Sequence, residues 1–146
     1  MRLFIALAVV AALTSQCDDA VRVADDVVKT SRASGIVDDL GRSRLAVREV
    51  APTAAARIGS AASQYDVEVK AALEGLLWSV ACDVVGGSAP GSVQELGPYI
   101  ENQAVNFALS ISGGGAFASL VIEALDTPYE RTEVTQVCAS LPSVQV

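Results

Sequence analysis

Apolar side chains recur at helical spacing along most of the chain, and most regularly between Val67 and Val85. There Val69, Leu73, Leu76, Leu77, Val80, Val84 and Val85 follow the three-to-four spacing of one helical face. A second row, Ala72, Gly75, Ser79 and Cys82, is small and lets another helix approach closely. Asp66 is placed to cap the start of this segment, and Gly86-Gly87 to end it. A helix suited to packing on two sides belongs at the centre, so residues 67–85 are predicted as the central helix.

The other segments arrange themselves around it. Asp18-Asp19 lead into a run with Val21, Ala24, Val27 and Val28 on one side, predicted as a helix that Gly35 ends. Ile36, Val37, Leu40, Leu45, Val47 and Val50 suggest a second, less regular helix interrupted by Gly41. Pro52 opens a third, rich in alanine. After the glycine loop at Gly86–Gly91, Ser92 and Glu95 form a capping box. The helix it starts is re-set at Gly97-Pro98 and carries Ile100, Ala104, Phe107, Ala108 and Ile111 on one face. Gly113-Gly114-Gly115 breaks it. Phe117, Leu120, Val121, Ala124 and Leu125 describe a short helix, and Thr127-Pro128-Tyr129-Glu130 starts the last one, which Pro142 stops. No stretch alternates like a strand for long. The prediction is an all-α single compact bundle of six or seven helices, occupying residues 18–146.

The first seventeen residues stand outside that bundle. Met1-Arg2 precede an apolar run from Leu3 to Leu13, followed by the small polar exit Thr14-Ser15-Gln16. This is the pattern of a secretory signal peptide, too short for a stable membrane anchor. The cleavage bond falls between Thr14 and Asp18. A lipoprotein signal requires a small residue before the cysteine, and Gln16 precedes Cys17. The mature protein is therefore expected to be secreted, without membrane attachment, in a compartment where cysteines pair.

Composition narrows the chemistry. Net charge is −7 and histidine is absent. The sign of that charge excludes nucleic acid as a natural partner. Without histidine there is no Ser-His or Cys-His nucleophile pair and almost no familiar zinc site. Ser88 and Ser112 lack the glycine spacing of a nucleophile elbow, and Lys29 and Lys70 lie in no lysine-base motif. The paired acids Asp18-Asp19, Asp25-Asp26 and Asp38-Asp39 lack the ligand alternation of a calcium loop. Adjacent residues on a helix also point about 100° apart. These pairs are read as caps and solvated faces. The glycine run is read as a connector, because neither lysine nor arginine accompanies it. No catalytic residue, metal ligand or cofactor site is assigned, and the chain is expected not to be an enzyme.

The three cysteines carry what remains. The simplest intramolecular pair is Cys82 with Cys138, tying the central helix to the last one and contributing roughly 3–4 kcal/mol in the chain-entropy model. Cys17 then either reaches another chain or leaves with the signal peptide.

Between about residues 60 and 141 the order of features resembles the light chain of insect silk fibroin. These features are Ala81-Cys82, Leu96-Gly97-Pro98-Tyr99, Asn102, Asn106, Gly113-Gly114-Gly115, Ile122-Glu123-Ala124-Leu125 and Cys138, at compressed spacing. The resemblance implies a secreted, non-enzymatic, helix-rich partner that is disulfide-linked to a silk heavy chain. It implies Cys138 as the intermolecular cysteine and Cys82 as a member of an internal disulfide. The family's second internal cysteine falls where this chain has Ser112, which leaves either Cys82–Cys17 as the internal pair in that alignment or a return to Cys82–Cys138 with no intermolecular role for Cys138. The leading expectation is thus a structural or assembly protein joined to a larger chain by a disulfide and by helix packing. The alternative is a secreted helical carrier of a small apolar ligand, with Trp78, Phe107 and Phe117 around its cavity.

Overall fold

The computed structural model describes residues 21–23 and 31–144. They form six helices and one small antiparallel sheet. In chain order these are β1 (Val21–Val23), α1 (Ser31–Val50), α2 (Pro52–Ala62), α3 (Val67–Val85), α4 (Val93–Ala104), β2 (Leu109–Ile111), α5 (Gly115–Ala124) and α6 (Pro128–Ser140). Short 3-10 turns follow α4 (Val105–Phe107) and α6 (Pro142–Val144). The class is all-α.

Helix α3 is the axis of the bundle. It touches every other helix and both strands. Leu73, Leu76, Leu77 and Val80 of the apolar row, Ala72, Gly75, Ser79 and Cys82 of the small row, and Trp78 are all buried. The small row does what its size suggests: Gly75 lies directly beneath Val37 of α1 and Phe107. Asp66 has the extended backbone of an N-cap residue, yet its side chain makes no capping bond. Ser92 and Thr127 do cap, accepting from the N–H of Glu95 at 3.4 Å and of Glu130 at 3.1 Å. Helix α3 ends at Gly86, and Gly87 follows with φ +81°, where a side chain would be strained.

Three sequence expectations are overturned. The predicted helix carrying Val21 is a strand there, and its residues Ala24, Val27 and Val28 lie outside the described ones. Helix α1 runs unbroken through Gly35 and Gly41, and α4 runs through Pro98. The face drawn from Ile100 to Ile111 also divides, because α4 stops at Ala104 and Ala108 turns with φ 58°. Leu109–Ile111 then pair with β1 in the register Val21↔Ile111, Arg22↔Ser110 and Val23↔Leu109. Three residues alternating buried, exposed, buried make too short a signal to separate from helix. Pairing with a distant segment decides the matter.

Gly35 serves contact rather than termination. A Cβ there would lie 2.6 Å from the Ser143 hydroxyl, so the missing side chain admits the C-terminal turn against α1. The neighbouring Asp39 holds that turn. Its carboxylate accepts from the Ser143 N–H at 3.1 Å and pairs with Arg42. Asp38 is exposed and Asp39 buried, so the pair splits between faces as its geometry requires, but Asp39 is an anchor and not a solvated residue. A hydrogen bond from the Ser143 side chain is the largest influence holding the Asp39 carboxyl below its usual 3.8, against the upward push of burial. The Ser143 N–H and the Arg42 guanidinium add to the lowering.

A depressed carboxylate stabilises the fold above its unfolded pKa, and this contribution disappears as pH falls through the folded value. Asp39→Ala is expected to cost about 1–3 kcal/mol near neutrality. The gap between wild type and variant should then close as pH drops well below 3.8. Denaturant titrations across that range measure it. A gap that stays constant would show that the Asp39 carboxylate does not hold the turn.

The loop between α4 and α5 relies on close approach. A Cβ on Gly114 would sit 2.5 Å from the Gly97 carbonyl oxygen, and the Gly114 N–H donates to Glu101 Oε1 at 3.1 Å. The glycine run is therefore a packed corner between two helices, and its basis is contact with α4.

Candidate functional site

The described residues bring two of the three cysteines together. Cys82 near the end of α3 and Cys138 in α6 form a disulfide across a separation of 56 residues. Both are buried, at 1% and 9% exposure. Cys138 is thus engaged within the chain, which corrects the arrangement implied by the silk resemblance, with Cys138 leaving the chain and Cys82 bonded to Cys17. Cys17 itself lies outside the described residues. One residue beyond the disulfide, Asp83 accepts a hydrogen bond from the Tyr99 hydroxyl at 2.7 Å. The carbonyl of Asp83 also accepts from the N–H groups of Ser88 and Ala89. One end of α3 is thereby fixed to both α4 and α6.

One flank of the bundle is open. Between α1, α2 and residues 70–78 of α3 lies a groove of about 640 Å³. Its construction follows from three rows at helical spacing. Leu40, Arg44 and Arg48 stand four apart on α1, and Lys70, Glu74 and Trp78 four apart on α3. The third wall is the small face of α2, Ala55, Ala56, Gly59 and Ser60, with Ser63 just after its end. Ile58 of α2 is turned into the core, and Arg57 turns away to pair with Glu123 at 3.1 Å. The alanine-rich helix makes space opposite Trp78 because its outward face has little to fill that space with. Pro52 sets α2 off directly after α1, through the buried linker Ala51.

Trp78 is 2% exposed and forms part of the groove wall. Phe107 and Phe117 do not line the groove; they are buried in the core. The expectation of one cavity ringed by all three aromatics is corrected on that point. The groove is also open and mixed in polarity. Arg44 meets Glu74 at 3.3 Å across it, with Glu74 largely shielded and Arg44 partly exposed. Arg48 and Lys70 have no ion-pair partner among the described residues. Three cations and one carboxylate therefore face one opening in a chain of net charge −7.

Chemically the groove offers cationic donors, the hydroxyls of Ser60 and Ser63, and an apolar base. It presents no thiol or imidazole nucleophile. Among the described residues, no three His, Cys, Asp or Glu side chains gather to hold a metal ion, and no helix is long and apolar enough to cross a membrane. Sequence reasoning missed Arg44, Arg48 and Glu74, and weighed Lys70 only as a catalytic base. The four-residue spacing of each row was visible. That α1 and α3 turn those rows toward one another was not.

No protein-family model, curated protein or solved structure matches this chain.

Proposed function

We propose that the protein is a secreted, non-enzymatic helical binding domain that carries a small ligand with an apolar body. The observation supporting this reading is the groove of about 640 Å³ against Trp78, a volume within the range of small-molecule sites. Secretion is supported by the basic start and apolar run of residues 1–13.

The chain contains a single tryptophan, so its emission reports directly on the groove. Titration with dodecan-1-ol, a neutral single-chain probe, is expected to shift that emission saturably. Gly59→Phe supplies a blocking control. Nothing lies within 4 Å of a Cβ at Gly59, so a ring there projects into free space. The variant should keep wild-type helicity and bind at least tenfold more weakly, about 1.4 kcal/mol by the affinity relation. Equal binding by both proteins would place the probe elsewhere, and no binding by wild type would remove the carrier reading.

A second reading is favoured by the cysteine count. With Cys82 and Cys138 bonded to each other, Cys17 is the remaining cysteine of three. We infer that, if Cys17 is retained after processing, it joins the domain to another chain, the assembly role implied by the resemblance to silk fibroin light chain. A secreted product that migrates as a monomer with and without reductant excludes this tether.

A further inference from the structure

We propose that the groove selects an anionic amphiphile, a single-chain carboxylate whose headgroup is held by Arg48 and Lys70. This rests on the binding reading above and adds the headgroup to it. Three of the chain's ten Lys and Arg residues line this one groove, while the chain as a whole is acidic. A ligand chosen by apolar surface alone needs no such concentration of cations.

Within the groove the cations differ in role. Arg44 is neutralised by Glu74 at 3.3 Å, which also steadies its side chain between α1 and α3. Arg48 stands one helical turn beyond Arg44 on the same face of α1, and Lys70 one turn before Glu74 on α3. Neither has an ion-pair partner among the described residues. They are the two charges an incoming anion can meet without displacing a protein carboxylate. Trp78, two helical turns beyond Lys70, receives the hydrocarbon. The site is thus polar toward one end of α3 and apolar toward its middle, the arrangement of an amphiphile.

A carboxylate fits better than a phosphate monoester. The surrounding field of a chain at −7 opposes each added negative charge, and a carboxylate brings one.

The disulfide-intact chain is titrated below micelle formation with laurate, dodecan-1-ol, dodecyl phosphate and dodecyltrimethylammonium, read by tryptophan emission and calorimetry. Laurate is expected to bind at least tenfold tighter than the alcohol, and the ammonium more weakly than the alcohol. Added salt should weaken laurate and leave the alcohol unchanged. The double variant Arg48→Gln/Lys70→Gln should lose the laurate preference while keeping alcohol affinity within twofold. Arg48 is exposed and Lys70 half-buried, so the pair can be replaced without opening the core. Equal wild-type affinity for laurate and alcohol overturns the anionic selection and leaves the groove reading standing. Retention of the preference by the double variant overturns the assignment to Arg48 and Lys70. Tighter binding of dodecyl phosphate than of laurate overturns the headgroup, and absence of binding by every probe overturns both readings.

Discussion

Replacing both Cys82 and Cys138 by alanine is expected to lower stability by about 4 kcal/mol, the chain-entropy value for a loop of this length. The bond spans 56 residues, so its removal returns considerable freedom to the unfolded chain. In a domain of this size the melting temperature should fall by roughly 15 °C. Helicity at low temperature should survive, because α3 remains enclosed by the other five helices. Two single variants make the test specific. Cys138→Ala should cost nearly as much as the double replacement, since it frees Cys82 as well. Cys17→Ala should leave the melting temperature unchanged. If Cys17→Ala were the costly variant, and Cys138→Ala harmless, the pairing would be Cys82 with Cys17 and the silk-type tether through Cys138 would return.

Trp78→Ala carries a comparable penalty by another route. Its side chain is among the largest that are fully enclosed, with Leu73, Leu76 and Leu77 as buried neighbours on the same helix. Truncating a buried aromatic to alanine costs about 3–5 kcal/mol, from lost transfer energy and from the cavity left behind. That is a substantial fraction of the 5–15 kcal/mol typical of a folded domain. Because the variant has no tryptophan, unfolding is followed by far-ultraviolet circular dichroism. Tyr129 is 74% exposed, and Tyr129→Ala should stay within about 0.5 kcal/mol of wild type. A loss below about 1 kcal/mol at Trp78 would mean that the groove admits solvent behind the ring, contrary to its burial.

The two penalties act one helical turn apart on α3, at Cys82 and at Trp78. The disulfide and the Asp83–Tyr99 hydrogen bond fix its C-terminal end to α6 and α4. Its N-terminal half, with Lys70 and Glu74, faces the open groove. Structural fixation thus lies toward the C-terminal end of α3, and the proposed headgroup residue Lys70 toward its N-terminal end, with Trp78 between them. A groove variant such as Gly59→Phe is expected to leave the fold intact because nothing lies within 4 Å of a Cβ at that position on α2.

The sequence by itself determined that α3 would be central. Its apolar and small rows each specify a neighbour, and a helix with two such faces is packed on two sides over most of its length. It also determined the caps at Ser92 and Thr127, because capping is a local exchange between a side chain and the backbone three residues away. The choice of Cys82 with Cys138 as the simplest internal pair followed from their places on two predicted helices. What the sequence left undetermined depended on partners far along the chain. Val21–Val23 and Leu109–Ile111 are too short to declare themselves strands, and they become strands by pairing with each other. Gly35 looked like a stop until Ser143 arrived to occupy its missing side chain, and Asp39 looked solvated until the same turn supplied its donors. The groove belongs to this second group. Each of its rows was written at four-residue spacing, but only the rotation of α1, α2 and α3 about their axes turned Arg48, Gly59, Lys70 and Trp78 onto one opening. Periodicity fixes which residues of a helix share a face. Packing alone decides what that face meets.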